Sequence, residues 1–262
     1  MVTIDDQWLD AALAVAREAA AAGAGAIARH RPDAVDVEYK ADASPVTVAD
    51  REAETAIRDV IARHYPDHAI FGEEQGRAGE GDFLWLVDPL DGTKSFVRGT
   101  PFYSTQIALM HQGELLLGVS AAPHYGETLW ARRGGGAWMD GKRIQTADTD
   151  ALARASLSLG NVRTLAGQAS RWQALGGLVA EVNRIRGYGD FCHYHLLARG
   201  GLDVVVESDV NILDIAALAV IVREAGGTFT DLDGKALTLD TTSVLAAAPA
   251  LHAIVGQRLG AP

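Results

Sequence analysis

Cysteine is almost missing from this chain: Cys192 stands alone in 262 residues. No internal disulfide can form, a zinc site built from thiolates is excluded, and a reducing cytoplasm is the expected setting. Basic residues are scarce as well. With 23 Lys and Arg against 34 Asp and Glu, a formal net charge of −11 and no basic run, the chain lacks the cation clusters that nucleic acid or an anionic membrane surface requires. No apolar run approaches the ~18 residues of a membrane span. Met1-Val2-Thr3-Ile4-Asp5-Asp6 lacks the basic-then-apolar order of a secretory signal. Internal repeats and low-complexity tracts are missing too. Gly134-Gly135-Gly136 does not complete a dinucleotide fingerprint, and no Gly-x-x-x-x-Gly-Lys-Ser/Thr loop occurs, so nucleotide binding through those devices is unsupported.

What is present describes a folded protein. A 48% hydrophobic, 22% charged composition over this length gives one large domain, or two tightly joined ones, around a substantial core. Trp8, Leu9, Ala12, Leu13, Val15 and Ala16 recur at helical spacing, predicting a long amphipathic helix from Asp6 to about His30. A second helix is predicted over 47–64, with acids in its early turns, Ile57, Val60 and Ile61 as its buried stripe, and Pro66 beyond its end. Between residues 69 and 144 short strand-like runs dominate, at 69–71, 83–87, 105–110, 114–120, 128–132 and near Trp138, with Asp140-Gly141 as a hairpin signal. A large, mostly antiparallel sheet follows. After the polar stretch 146–150, strands at 155–159, 183–186, 204–207, 228–231 and 244–247 alternate with helices at 168–178, from Asp190, and at 211–225. The class is α/β in the broad sense (α+β), with two halves, 1–148 and 149–262.

The chemistry concentrates in Trp85-Leu86-Val87-Asp88-Pro89-Leu90-Asp91-Gly92-Thr93. An apolar strand from Phe83 to Val87 should end with Asp88 pointing into a cleft, because Pro89 biases Asp88 toward extended backbone. Asp91 follows one tight turn later. Gly92 allows the reversal, and Thr93 opens a helix whose free N–H groups suit a phosphate oxygen. The same letters also fit an ordinary polar turn in which Asp91 or Thr93 caps the helix.

Other acids stand at comparable punctuations. Glu73 and Glu74 follow a strand and Gly72, where solvated loop charge is the plain alternative. Asp214 starts a helix apolar on nearly every side, and with Asn211 three residues before it also fits a capping box. If Glu73, Asp88, Asp91 and Asp214 converge, they repel and take up protons unless cations hold them. An oxygen-only ligand set selects magnesium, with manganese as a substitute, and a pair of such ions about 4 Å apart suits phosphoryl transfer.

Gly72-Glu73-Glu74, Asp88-Pro89-Leu90-Asp91-Gly92-Thr93 and Asp214-Ile215-Ala216-Ala217 resemble the three signature motifs of the inositol monophosphatase-like family of metal-dependent, lithium-sensitive phosphatases, in order and separation across nearly the whole chain. The resemblance implies a layered αβαβα sandwich, a magnesium-dependent phosphate monoester hydrolase with two or three ions per site, and a homodimer. It implies that Glu73, Asp88 and the Leu90 carbonyl bind one metal, that Asp88, Asp91 and Asp214 bind another, and that Gly92 and Thr93 hold the phosphate. Val46-Thr47-Val48-Ala49-Asp50 resembles the family's Thr-x-x-Asp element, so Asp50 should pair with the Thr93 hydroxyl and act on the attacking water together with Glu73. Lys40 matches the family's lysine near a third metal. Leu213-Asp214 replaces the usual Trp-Asp, which keeps the ligand and changes the packing behind it.

Arg184-Ile185-Arg186-Gly187-Tyr188-Gly189-Asp190-Phe191 and Val222-Arg223-Glu224-Ala225-Gly226-Gly227 resemble the histidinol-phosphatase branch found in actinobacteria. Histidinol phosphate carries an amine and an imidazole that take up protons, so carboxylates suit it better than they suit a neutral polyol. Asp190 and Glu207 are the candidate acids, and Asn211 a hydrogen-bonding neighbour. Asp190 also fits a helix N-cap. His193 and His195, two apart on a helix, point to different sides and read as packing or surface residues rather than a metal pair. Arg184 and Arg186 alternate along a strand, which leaves one of them to approach substrate or a dimer edge, without saying which. Inositol 1-phosphate and broader sugar or nucleotide phosphates are the competing substrates, and a metal-stabilised regulatory binding protein is the reading from another class.

Overall fold

The computed structural model describes residues 3–32, 37–39 and 45–260. In chain order the elements begin with α1 (Asp6–Ile27), β1 (Val37–Tyr39), β2 (Pro45–Thr47), α2 (Val48–His64), β3 (Ala69–Gly72), β4 (Gly76–Ala78), β5 (Phe83–Asp91) and α3 (Thr93–Val97). Then come β6 (Ser104–His111), β7 (Glu114–Ala122), β8 (Glu127–Arg132), β9 (Gly136–Met139) and β10 (Lys142–Ile144). The second half supplies β11 (Ser156–Leu159), α4 (Arg163–Ala166), α5 (Ala169–Glu181), β12 (Arg184–Arg186) and α6 (Asp190–Ala198). It ends with β13 (Val204–Ser208), α7 (Ile212–Glu224), β14 (Thr228–Thr230), β15 (Ser243–Ala247) and α8 (Pro249–Leu259). The eight-stranded sheet has the order β10-β9-β8-β7-β6-β5-β3-β4, and the five-stranded sheet β12-β11-β13-β15-β14. Among the described residues only β3 and β5 run parallel in the large sheet; the small sheet is mixed.

Strand alternation sorts these elements into five layers. On β5, Trp85 and Val87 meet Leu9, Ala12, Ile57 and Val60 of α1 and α2. Leu84 and Leu86, on the other face, share a core with α6 and α7 and with Val205, Val244 and Ala246 of the small sheet. Val204, Val206 and Leu245 face outward beneath Leu175, Leu178, Leu251 and Val255 of α5 and α8. The result is the αβαβα sandwich. Helix α7 lies between two sheets, so it is buried on nearly all sides, which is why its sequence shows no polar stripe. Its approach to β7 is close: a methyl group built on Gly118 would lie 2.7 Å from the Ala217 Cα.

Helices α4 and α8 are not among the predicted elements, and two further details depart from expectation. Strand β5 continues past Asp88 to Asp91, with one extra residue relative to β6: Asp88 pairs with Gln106 and Asp91 with Ser104. Pro89 is tolerated there because the bulge needs no ladder donor from it, and the Thr105 hydroxyl donates to the Pro89 carbonyl at 2.9 Å. The short strands β1, β2 and β4 were also not expected; at three residues each they are too brief to carry an alternating signal.

Candidate metal and phosphate site

Parity and the bulge together aim the acids. Asp88 has the same parity as Leu84 and Leu86, so it faces α7. Asp91, three residues on, would face away on a regular strand, and the extra residue of the bulge returns it to the same side. Asp88 stabilises the irregularity itself, its Oδ1 accepting from Leu90 N at 3.0 Å. The first turn of α7 then delivers Asp214, and carboxylate oxygens of Asp88, Asp91 and Asp214 lie within 4.8 Å of one another. The capping box at Asn211 forms as well: Asn211 N donates to Asp214 Oδ2 at 2.9 Å and Asn211 Nδ2 to Oδ1 at 2.6 Å. Structural and ligand readings of Asp214 therefore coexist, since each carboxylate oxygen has a second lone pair.

Glu73 stands outside that trio yet touches it through a side-chain hydrogen bond with Asp88. Its own backbone N–H donates to the Val87 carbonyl at 3.2 Å. Burial raises the Asp88 carboxyl well above the usual range, and Glu73, Asp91 and Asp214 push it further. Asp91 is raised by burial, then by Asp190, Asp214 and Glu207. Asp214 is pushed up to about 7, first by burial. Mutually opposed buried carboxylates with oxygen-only donors are what a hard divalent cation would relieve, so the donor set fits magnesium chemistry. Gln106, the cross-strand neighbour of Asp88, carries a buried Oε1 without a hydrogen-bond partner. Its place beside the acids was invisible before pairing was known.

The candidate phosphate side is built by a second capping box. Thr47 N and Oγ1 donate to Asp50 Oδ2 at 2.8 and 2.6 Å, and the Thr93 hydroxyl donates to Asp50 Oδ1 at 2.9 Å, with Leu90 O also within 3.0 Å. Asp50 is fully buried, and burial raises its carboxyl despite these donors. Gly92 precedes α3 with φ 89°, and a methyl there would come 3.2 Å from Tyr103 Cα and nearer still to the Phe102 carbonyl oxygen. Only glycine fits that turn. Lys40 lies outside the described residues.

On the far wall, parity again matters: Glu207 shares the inner face of β13 with Val205. Its Oε1 accepts from Asn161 N at 3.1 Å; its Oε2 accepts from the Tyr194 hydroxyl at 2.7 Å and lies 3.1 Å from His193 Nε2. Burial works to raise Glu207, but His193 and these donors outweigh it and hold the carboxyl low. Asp190 is not the N-cap. Gly189 holds that position, and Asp190 opens α6 with φ 45°. Its carboxyl is raised to about 6, by burial and then by Glu207, with His193 and Lys94 pulling the other way. A non-glycine residue in left-handed backbone costs on the order of 1–3 kcal/mol, and such strain gathers at functional positions. Asn211 Oδ1 caps α7 through Leu213 N at 2.7 Å, and with one Nδ2 hydrogen on Asp214 a second amide N–H remains to donate. The two histidines do diverge, and both are buried: His193 meets Ser158 and Glu207, whereas His195 Nε2 meets Ser120 at 2.7 Å. Arg184 and Arg186 are exposed on the edge strand β12.

The model of the inositol monophosphatase family matches residues 8–259. The chain belongs to that family. Its members are metal-dependent phosphatases, and this chain is a phosphatase of that kind. It is 41% identical over 208 residues to a histidinol-phosphatase of Mycobacterium tuberculosis, covering 76% of this chain and 79% of that one. A histidinol-phosphatase of Streptomyces coelicolor is 39% identical over 230 residues, covering 82% and 84%. The structure of the extragenic suppressor protein suhB from Bartonella henselae superposes with a TM-score of 0.88 at 29% identity, covering 95% of this chain and 98% of the other. No helix among the described residues is long and apolar enough to cross a membrane.

Proposed function

We propose that this family member hydrolyses L-histidinol phosphate to L-histidinol and phosphate. Glu73, Asp88, the Leu90 carbonyl, Asp91 and Asp214 would hold two or three magnesium ions, manganese substituting. Those ions, when bound, supply Lewis acidity toward the phosphate and the attacking water. The Gly92–Thr93 turn would take the phosphate. With the Thr93 hydroxyl donating to Asp50, its lone pairs are left to accept from a water proton, and the buried Asp50 carboxyl, raised in pKa, is suited to draw that proton onward. Glu73 would orient the same water from the other side. As the water oxygen attacks phosphorus, the bond to the alcohol oxygen breaks and that oxygen takes a proton.

The observation that carries the substrate reading is Asp190, an acid held in strained backbone beside Glu207 and next to the acidic trio. Asp190 and Glu207 offer negative charge to a cationic amine or imidazolium, and Asn211 a further amide contact. The two relatives named histidinol-phosphatase support the same choice. A Thermotoga maritima relative named fructose-1,6-bisphosphatase/inositol-1-monophosphatase, 38% identical over 191 residues, supports the second reading, a broader sugar-phosphate hydrolase. Residues 1–148 would then be the half that supplies most metal ligands and 149–262 the half that supplies specificity, in a homodimer.

The test is a panel of histidinol phosphate, inositol 1-phosphate, fructose 1,6-bisphosphate and adenosine 3′,5′-bisphosphate, with and without magnesium, on wild type and Asp190→Asn. Wild type should prefer the first ester. The variant should lose roughly 10- to 100-fold in kcat/KM for it, as expected for one charge-assisted hydrogen bond, and little for inositol 1-phosphate. Equal loss on both esters, or a wild-type preference for another member of the panel, removes the assignment.

A further inference from the structure

Helix α2 does more than supply Asp50. One turn later on the same face, Glu54 has its carboxylate fully buried. Its Oε2 accepts from Glu74 N at 2.6 Å, and its Oε1 from Gln75 N at 3.2 Å and from Arg58 Nε at 2.7 Å. Arg58 continues the arrangement, its Nη2 donating to the Gly76 carbonyl at 2.5 Å. The turn after β3, which carries Glu73, is thus gripped at three successive residues by one ion pair. Gly72 makes room for the grip: a methyl there would lie 2.5 Å from Glu54 Cδ and 2.9 Å from Arg58 Nη2. A buried carboxylate is expensive unless every oxygen is satisfied, so an acid on the apolar stripe with Ile57 and Ile61 needs a reason beyond packing.

We propose that Glu54 is a positioning residue for the metal centre, fixing the Glu73 turn so that the Glu73 carboxyl stands beside Asp88 before any cation arrives. Helix α2 is then a bracket across the site. Asp50 fixes Thr93 on one side and, four residues on, Glu54 fixes Glu73 on the other. Glu54 touches neither metal nor substrate. It acts by cutting the ordering needed when Glu73 engages a cation, the usual role of groups behind a ligand, whose loss weakens affinity about 10- to 100-fold. The inference rests on Glu73 being a metal ligand.

Binding of Mn2+ to the full-length protein without substrate, read by electron paramagnetic resonance of the free ion and by the shift in melting temperature with added Mg2+, tests it. Glu54→Gln keeps size but turns an amide N–H toward a backbone N–H. It should raise the Mn2+ dissociation constant about 10-fold or more. Glu224→Gln is the matched control, since Glu224 clamps Gly134 N and Gly136 N at 2.9 and 2.8 Å in another turn; its affinity should stay at the wild-type value. Gly72→Ala, which displaces the Glu54 carboxylate without altering its charge, should act like Glu54→Gln and decides alone if the latter does not fold. Glu73→Gln separates the bracket from the ligand role of Glu73 on which it rests. If Glu73→Gln weakens binding while Gly72→Ala and any folded Glu54→Gln do not, the bracket is wrong. If Glu73→Gln binds as wild type does, the ligand assignment beneath it is wrong. A loss in Glu224→Gln equal to that in Glu54→Gln would also overturn the proposal, by exposing general destabilisation.

Discussion

Gly118→Ala tests whether the packing of α7 sets the geometry of the acidic trio. Gly118 sits in β7 without left-handed backbone, so alanine meets no conformational objection there. The objection is space. The new methyl would lie 2.7 Å from Ala217 Cα and 2.9 Å from its carbonyl carbon, whereas carbon atoms rest about 3.5–4.0 Å apart. Both neighbours are backbone, so α7 must move off the sheet by about 1 Å to restore that contact distance. Forced repacking of this kind costs about 1–3 kcal/mol, at roughly 2–4 °C of melting temperature per kcal/mol for a chain of this size. Asp214 lies one helical turn before Ala217, so it moves with the helix away from Asp88 and Asp91. A misplacement near 1 Å at a reacting centre can lower turnover about 100-fold. Melting curves and kcat on p-nitrophenyl phosphate at saturating magnesium would read both effects. Gly176→Ala, with open space around its new methyl, is the control and should stabilise helix α5 slightly. A Gly118→Ala protein with wild-type melting temperature and wild-type kcat would refute the claim that this contact sets the site.

Two further outcomes are expected. In metal-free protein, Asp214 titrates at about 7 and Asp190 at about 6, so the folded state keeps protons that the unfolded chain releases near pH 4. The stability these two groups contribute is complete below about pH 4 and is lost as pH rises through 6 and 7, Asp214 alone accounting for on the order of 4 kcal/mol. Urea midpoints in EDTA should fall across that window, and saturating magnesium, which favours the ionised acids, should flatten the curve; a metal-free midpoint that climbs instead would sink this account. Gly92→Ala imposes both left-handed backbone on alanine and a collision with the Phe102 carbonyl, so phosphate should no longer protect against heat and hydrolysis should fall at least 100-fold at the ~1 Å displacement it forces, with retained turnover as the contrary result.

Composition, strand alternation and three acidic motifs determined the class of this protein, because each is a local property. Asp88 at the end of an apolar run, Gly92 at a reversal and Thr47 and Asn211 at helix starts could all be read along the chain, and the resemblance tied the acids to one chemistry. Tertiary structure decided what depends on pairing. The bulge that turns Asp91 to the face of Asp88 is defined only against β6. The grip of Glu54 on the Glu73 turn joins residues about twenty apart, although an acid on the apolar stripe of α2 was a signal that could have been followed. Asp190 looked like a cap because an acid before an apolar run usually is one; the left-handed turn at Gly189 and Asp190 moves the capping position back by one residue. His193 and His195 looked fit for the surface as much as for the core, and burial came from α6 being sandwiched between two sheets. Period and motif are written in sequence because neighbours along the chain create them, whereas side-chain direction at an irregular strand and the partners of a buried charge arise only once distant segments meet.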